Sequence, residues 1–478
     1  MPDTQYSNLL KCDICVIGGG SGGLSVAAAA QQMGASVILC EGNKMGGDCL
    51  NSGCVPSKAL IEASRSVAHT KKAQQFGISS QTTIDFKAIH QHIHQVIETI
   101  APHDSIARFE SLGVRVISSY AHFINHKIIQ AGEHLIDAKY VVIATGSRAR
   151  ILPIPGLEQI DYLTNETIFD LTEKPEHLVI IGGGPIGCEI AQSYALLGAK
   201  VTLLEATSEI LSAADTDCKA VVIKAFDALG INIITEAKID NFRQDSAGLK
   251  YIHYQHNDHH RKLTATHILI ATGRTPNIEK LHLDQANIKH TPRGITVDAR
   301  LRTNHKHIYA IGDIASPLQF THMASYHASI VIQNILFKLP AKIDYSNFPW
   351  VVYTTPEIAH TGLAISKASE QNAQILTLNF KDNDRAQAAL ATEGMIKVAV
   401  NKKGQILGAS IVGENVGELI LPWTLAIKNN LRIKHMASLI IPYPTLSEIN
   451  KGVAGSFYTP KLYSVKIRKI IRFLMRWF

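Results

Sequence analysis

The 478 residues carry 47 lysines and arginines against 40 acidic residues, a net charge of +7, with 46% hydrophobic and 6% aromatic residues; this is the make-up of a globular protein of about three domains. No apolar run is long enough to cross a bilayer, and no charged-then-apolar leader precedes the first strand, so a cytoplasmic protein is expected. Nucleic-acid binding is not indicated, because Lys461, Lys466, Arg468, Lys469, Arg472 and Arg476 sit together in the last twenty positions, and without them 41 basic residues face 40 acidic ones.

Residues 12–17 read as a first strand, followed by Gly18-Gly19-Gly20-Ser21-Gly22-Gly23 and an alanine-rich helix. A second strand, 35–40, ends at Glu41. Glycines at such a turn let the backbone approach a pyrophosphate, the helix N-terminus faces its charge, and an acid about twenty residues on accepts from a ribose hydroxyl. The glycine pattern alone is a weak signal, but with strand, helix and acid in place it predicts a bound dinucleotide. Cys12 and Cys15 form a CxxC within the strand. No second CxxC follows, and residues three apart on a strand point to opposite faces, so both are expected to be structural.

Next stands Met45-Gly46-Gly47-Asp48-Cys49-Leu50-Asn51-Ser52-Gly53-Cys54-Val55-Pro56-Ser57-Lys58. In a regular helix, Cα atoms five residues apart lie roughly 8–9 Å from each other, whereas a disulfide wants about 4.4–6.8 Å. If Cys49 and Cys54 pair, the backbone between them must be distorted, with Gly53 supplying the freedom. A bridge in a bent loop ahead of a helix is a reducible one. Two buried, unpaired cysteines fit the spacing equally well. The seven cysteines are odd in number and scattered, unlike a secreted disulfide framework, and one close pair in a reducing compartment suits redox chemistry better.

His90, His92, His94 and His103 lie on a polar helical stretch. His90 and His94 have the spacing to share a metal, but no carboxylate or cysteine completes such a site nearby, so a solvated face and no metal are expected. His256, His259 and His260 flank Asn257-Asp258 in what reads as a hairpin turn.

The first pattern then repeats. Residues 178–181 lead into Gly182-Gly183-Gly184-Pro185-Ile186-Gly187, a helix, the strand 200–204 and Glu205. Each unit is followed by a strand ending in Ala-Thr-Gly, at 140–146 and 267–273. Two complete units imply two dinucleotides. Ile308-Tyr309-Ala310-Ile311-Gly312-Asp313 reads as a strand ending in a glycine and an acid. Beyond about residue 340 the character changes: 395–400 and 405–412 form a predicted hairpin, and helical patterns follow over 417–440.

With these pieces assembled, the chain resembles the class I pyridine nucleotide–disulfide oxidoreductases, which include dihydrolipoamide dehydrogenase, glutathione reductase and mercuric reductase. The most specific match is the run 46–58, with Ile311-Gly312-Asp313 and both glycine units in the family's order. The resemblance implies an α/β fold of two Rossmann-like dinucleotide-binding domains plus a C-terminal α+β dimerisation domain. It would place an FAD-binding domain at 1–155 and 276–345, an NAD-binding domain at 156–275, a homodimer interface domain at 346–460 and a basic tail at 461–478. It further implies that Gly18, Gly20, Gly23 and Glu41 hold the adenosine half of FAD. By the same resemblance the Ala121 backbone, Thr145, Gly146, Gly312, Asp313 and Thr321 would complete the FAD pocket. Lys58 would lie beside the flavin, paired with Glu189, and Gly182, Gly184, Gly187, Glu205 and Gly273 would hold the nicotinamide nucleotide. Glu205 is followed by no arginine or lysine over 206–210, and a 2′-phosphate would be repelled there, so NADH is expected over NADPH. Electrons would pass from NADH through FAD to Cys49 and Cys54, with Cys54 the thiolate against the flavin and Cys49 the thiol that meets the acceptor. Pro56 suits the first turn of a helix, and Lys58 adds positive charge that favours a thiolate.

Two departures stand out. Thiol-handling members carry His-Pro-Thr near the C-terminus, acting across the dimer with a nearby glutamate; here the histidine position is Tyr443, while Glu448 remains. An imidazole titrates near neutrality and shuttles protons, whereas a phenol with a pKa of about 10 is a poor base. Mercuric reductases are similar at this position, but they carry a vicinal cysteine pair at the C-terminus, and this chain has no cysteine after Cys218. The expected acceptor is therefore a small molecule or metal ion in the manner of mercuric reductase, a soft metal or a disulfide. Dihydrolipoamide dehydrogenase activity and membrane-attached NADH:quinone oxidoreductase activity are the alternatives. The second departure is the tail, where Ile467, Ile470, Ile471, Leu474 and Phe478 share one helical face and Arg468, Lys469, Arg472 and Arg476 another. Such a helix suits an anionic membrane at the inner face. It equally suits packing on the dimer domain with its cations solvated.

Overall fold

The computed structural model describes residues 9–477, so Phe478 of the tail lies outside the described residues. The chain forms two compact units, Met1–Gly182 with Ala237–Ile343, and Gly183–Glu236 with Asp344–Phe478.

The first unit opens with β1 (Leu9–Ile17), α1 (Ser21–Gln32) and β2 (Val37–Cys40), the βαβ arrangement expected from the sequence. Then follow α2 (Gly47–Asn51), α3 (Cys54–Ala73), α4 (Phe86–Ile100) and α5 (Ile106–Ser111), and the strands β3 (Arg115–Ile117), β4 (Ala121–Phe123), β5 (Ile128–Ala131), β6 (His134–Ile143), β7 (Ser147–Ala149) and β8 (His177–Ile181). The second unit takes α6 (Pro185–Leu196), β9 (Lys200–Leu204), α7 (Thr216–Ala228) and β10 (Asn232–Ile234). The chain returns to the first unit for β11 (Lys238–Gln244), β12 (Lys250–His256), β13 (His259–Ala265), β14 (His267–Ile270), β15 (Arg274–Pro276), the short β16 (His290–Thr291) and β17 (Gly294–Ile295), β18 (Ile308–Ala310) and α8 (Thr321–Ile335). It ends in the second unit with β19 (Pro349–Val352), β20 (Glu357–Gly362), α9 (Ile365–Glu370), β21 (Gln374–Asn379), α10 (Asp384–Ala388), β22 (Met395–Val400) and β23 (Ile406–Gly413), then α11 (Val416–Leu419), α12 (Leu421–Lys428), α13 (Ile433–Ala437), α14 (Glu448–Ser456), α15 (Thr459–Leu462) and α16 (Val465–Trp477).

The main sheet of the first unit has the order β3-β2-β1-β6-β5-β4, with β18 also paired to β6. Its parallel strands β1, β2 and β6 are buried on both faces, as such strands must be when helices cover them. One face packs Ile14, Val16, Leu24, Val26, Ala27 and Val331 into a core shared by α1 and α8. The opposite face is filled by Ile129, Ile136, Ile143 and residues of the 281–295 segment. In this way the two carboxyl ends, of β1 and β18, bring Gly18 and Gly312 to one rim of the sheet, where ligands bind in open α/β sheets.

The expected placement of Cys12 and Cys15 on opposite faces is corrected here. Both lie in the same core cluster, with Cys40. The N–H groups of Asp13 and Ile14 donate to one acceptor, Ser36 O, at 3.0 and 3.1 Å. The register with β6 is unbroken here, Cys12 facing Ala138 and Ile14 facing Tyr140, and β6 makes the same change of side, so the alternation shifts by one residue in both strands together. Both cysteines remain structural: burial pushes the Cys12 thiol up to about 12, and contact with Cys40 together with burial drives Cys15 well above the thiol range.

In the second unit β19-β20-β23-β22-β21 form an antiparallel sheet, and the predicted hairpin is β22–β23. Its core is centred on Trp423, which is fully buried and donates from Nε1 to Asn450 Oδ1 at 2.8 Å. A buried indole N–H without such an acceptor would cost about 1–3 kcal/mol. The helical pattern expected over 417–440 is broken into α11, α12 and α13, with Asn430 in the left-handed region (φ 53°) closing α12.

Candidate functional site

The first glycine turn is built for close backbone approach. Gly18 adopts φ +111°, and a Cβ there would stand 2.4 Å from Ala144 O. A Cβ on Gly23 would stand 1.9 Å from Gly18 O, so α1 could not leave the strand as it does. In front of the α1 N-terminus, by contrast, a Cβ on Gly20 would meet nothing nearer than Gly47 Cα at 3.9 Å, the open cradle a phosphate needs. Glu41, at the end of β2, is held by two N–H donors: Gly19 N at 2.5 Å and Asn43 N at 2.7 Å. The donor set and the space fit a dinucleotide.

The cysteine turn lies against this cradle. Gly46 and Gly20 form a bridge, Gly46 N donates to Gly19 O at 2.9 Å, and a Cβ on Gly47 would stand 2.8 Å from Gly20 Cα. Cys49 is carried by α2 and Cys54 is the first residue of α3. Gly53 between them is required for room: its Cβ would stand 2.9 Å from Asp48 O and 3.2 Å from Cys49 Cα. Cys54 Sγ lies 3.3 Å from Thr321 Oγ1. The Cys49 thiol hydrogen-bonds Cys54, which with Thr321 and the Lys58 ammonium lowers the Cys54 thiol to about 6, against burial and the Asp48 charge. Cys49 is correspondingly driven up, first by Cys54 and then by burial. At neutral pH the reduced pair therefore holds its charge on Cys54 and its proton on Cys49. Cys54 also opens a 20-residue helix, whose N-terminus favours a thiolate. In the single chain Cys54 is exposed and Cys49 half-buried.

Thr321 opens α8 and touches Cys54, so within the expected FAD pocket it stands at the sulfur end. Thr145 exchanges hydrogen bonds with Asn277, its hydroxyl donating to Asn277 O and its carbonyl accepting from Asn277 Nδ2, both at 2.9 Å. Gly146 takes φ +65° and Gly312 φ +71°. Ala121 opens β4 and pairs with Ala131. Burial raises the Asp313 carboxyl, which accepts from Ser147 Oγ at 2.5 Å.

Three residues here escaped the sequence reading. Arg274, almost buried, reaches Asp48 Oδ2 at 3.0 Å and Asp313 Oδ2 at 3.7 Å and donates to Ser147 Oγ at 2.7 Å. Asn165 donates to Asp48 Oδ1 at 2.9 Å and Ser52 O at 3.1 Å, bracing the turn between the cysteines. The signal for Arg274 and Ser147 was present: they follow the two Ala-Thr-Gly sequences, and β7 pairs with β15 so that Arg274 faces Ala149.

The second glycine turn repeats the first. Gly182 takes φ +112°, where a Cβ would stand 2.4 Å from Ala271 O, and Gly273 takes φ +105°. In the second unit, Gly184 has open space before the α6 N-terminus and Gly187 is buried in the first turn. Glu205 accepts from Gly183 N at 2.7 Å and from Thr207 N and Oγ1 at 2.8 and 2.9 Å, the same clasp as Glu41. Glu189 is buried and accepts from Tyr353 N at 2.9 Å.

Tyr443 is exposed and donates from its hydroxyl to Asp384 Oδ2 at 2.9 Å. That acid raises the phenol above its ordinary range. Glu448 opens α14 and accepts from Thr445 N at 3.4 Å. Every residue of α16 from 468 to 477 is exposed. Among the described residues no helix is long and apolar enough to cross a membrane.

Comparison with known proteins agrees with this geometry. Residues 12–328 match the family model for pyridine nucleotide-disulphide oxidoreductases, and residues 348–453 match that family's dimerisation domain, which supports a homodimer. The chain is 33% identical to dihydrolipoyl dehydrogenase of Geobacillus stearothermophilus over 450 residues, covering 92% of this chain and 95% of that protein. It is 32% identical to mercuric reductase of Bacillus cereus over 442 residues, covering 91% and 70% respectively. Among solved structures it resembles the Cu(II) complex of the HOCl-induced flavoprotein disulfide reductase RclA from Escherichia coli, with a TM-score of 0.85 and 28% identity over 94% of this chain and 99% of that one. A paired-cysteine turn set against one dinucleotide cradle, a second cradle of the same design and a matching dimerisation domain therefore make this chain a member of the pyridine nucleotide–disulphide oxidoreductase family, FAD-dependent enzymes that use NAD(P)H.

Proposed function

We propose that the enzyme takes electrons from NADH and delivers them through the Cys49–Cys54 pair to a soft metal ion or a disulfide, in the manner of mercuric reductase. The carrying observation is the split of roles between the sulfurs, with Cys54 held as thiolate by Cys49, Thr321 and Lys58. Gly18, Gly20, Gly23 and Glu41 would hold FAD, and Gly182, Gly184, Gly187, Glu205 and Gly273 the nicotinamide nucleotide; bound FAD supplies the two-electron relay between NADH and sulfur. Two electrons and one proton convert the Cys49–Cys54 bond into a Cys49 thiol and a Cys54 thiolate. When Cys49 attacks a disulfide acceptor, its proton passes along the existing hydrogen bond to Cys54, and the departing thiolate leaves with the electron pair of the broken bond. Cys54, passing that proton to the departing sulfur, then attacks Cys49 Sγ of the mixed disulfide, which restores the Cys49–Cys54 bond and releases the acceptor's second half as a thiol.

Tyr443 argues for a metal acceptor over lipoamide. Its proton is committed to Asp384, so it offers no base, but a hydroxyl beside a carboxylate can contact a metal–thiolate complex presented by the sulfurs of the dimer partner. Anaerobic reduction by NADH, followed by oxidation with Hg(II), lipoamide, glutathione disulfide and a quinone in turn, tests the assignment. Rapid reoxidation by Hg(II) is expected, and reoxidation by lipoamide alone would reject it.

A second reading is favoured by α16, whose apolar residues Ile470, Ile471, Phe473, Leu474 and Trp477 are all exposed alongside Arg468, Lys469, Arg472 and Arg476. Such a helix would seat the enzyme on an anionic bilayer surface, as a quinone reductase at the inner membrane face requires. Quinone turnover retained in Cys49→Ala would support that chemistry, and its loss would reject it.

A further inference from the structure

Helix α4 presents His90 and His94 one turn apart, their ring centroids separated by 4.2 Å. The sequence offers no third ligand nearby, but the fold supplies one. Asp170, at the end of the turn Ile168–Asp170, places Oδ1 3.4 Å from His94 Nε2. One ligand atom from each of the three residues lies within 4.8 Å of the others. His94 Nε2 is buried and has no hydrogen-bond partner, a state that folded proteins avoid unless something else satisfies the atom.

Two imidazoles and a carboxylate form a ligand set suited to Zn2+ and its neighbours in the first transition row. Three protein ligands also leave a fourth position for solvent, which fits the exposure of Asp170. We propose that His90, His94 and Asp170 form a binding site for a first-row divalent cation of the zinc class, which clasps α4 to the turn at 168–170. The site is separate from the redox pair and is connected to it through one segment. Asn165, five residues before Asp170, donates to Asp48, just before Cys49, and to Ser52, between the cysteines. A bound ion would thus anchor the strap that braces the cysteine turn.

The test is Zn2+ titration of oxidised, thiol-alkylated holoenzyme against a chromogenic chelator, so that no cysteine contributes. We expect one ion per chain, with affinity weakened at least about tenfold in His90→Gln, His94→Gln and Asp170→Asn. His92→Gln, exposed on the same helix, should bind as the parent does. Flavin content shows that each variant is folded. In parallel, Cu2+-loaded protein should show electron paramagnetic resonance coupling to two imidazole nitrogens, reduced to one in His94→Gln. Unchanged Zn2+ affinity in both histidine variants, or a Cu2+ spectrum indifferent to His94→Gln, would overturn the proposal.

Discussion

At the scale of single residues the chemistry turns on which sulfur keeps the proton. The Cys54 thiol lies at about 6, with the hydrogen bond from Cys49 as the largest cause, so in the NADH-reduced enzyme alkylation of Cys54 should rise with pH around a midpoint near 6, and Cys49→Ala, which removes that donor, should move the midpoint upward. A midpoint above 8 in the parent enzyme would contradict the charge assignment. Cys54→Ser should keep FAD yet lose the long-wavelength absorbance of the reduced holoenzyme, as judged by its spectrum. Coenzyme choice is also a residue matter. Both Glu205 oxygens are engaged by the glycine turn and Thr207, and Lys219, a cation that the reading of 206–210 did not reach, is committed to Glu209 at 2.5 Å. No free cation is then offered by these residues to a 2′-phosphate, and kcat/KM should favour NADH over NADPH by about tenfold or more; equal values would refute this. Tyr443→His would restore a group that titrates near neutrality, and turnover with a disulfide acceptor should rise by about tenfold or more, measured against unchanged NADH reduction of the flavin.

At the scale of elements, the sequence was legible where a local pattern has a local cause. Both glycine turns, the acids that close them and the β22–β23 hairpin follow from spacing alone. Reading failed where a distant partner decides. Cys12 and Cys15 depart from strand alternation because β1 and β6 change side together beside the doubled contact to Ser36 O, and nothing in residues 12–17 announces that change. His90 and His94 looked solvated because Asp170 stands 76 positions after His94 in the sequence. Glycine identity, by contrast, carries a sharp element-level prediction. Gly23→Ala would put a methyl 1.9 Å from a backbone oxygen that cannot retreat without opening the turn, so the variant should lose bound FAD, read as the flavin-to-protein absorbance ratio. The tail yields another. With its apolar side exposed, α16 should bring the enzyme to anionic vesicles, and deletion of residues 461–478 should abolish co-sedimentation while sparing NADH oxidation.

At the scale of the molecule, the duplicated dinucleotide pattern does more than bind two nucleotides, because the end of one repeat supplies the site of the other. Arg274 follows the second Ala-Thr-Gly, yet it joins Asp48 of the cysteine turn to Asp313, in the turn after β18, the strand that returns to the first sheet. Asp313 is held above its ordinary range by burial, and Arg274 is one of the groups that counter this. Arg274→Met would leave two acids without their cation; breaking a buried pair costs about 3–5 kcal/mol, and partial exposure of Asp48 puts the expected loss at about 2–3 kcal/mol. The sign of its pH dependence follows from linkage. A carboxyl whose folded pKa exceeds its unfolded value binds more protons in the native state, so stability falls as pH rises from the unfolded pKa through the folded one. Removing Arg274 raises the folded value further. The variant's deficit in urea midpoint relative to the parent should therefore be small at pH 4.5 and grow toward pH 7.5, and a deficit that shrinks over that range would show that Arg274 does not restrain Asp313.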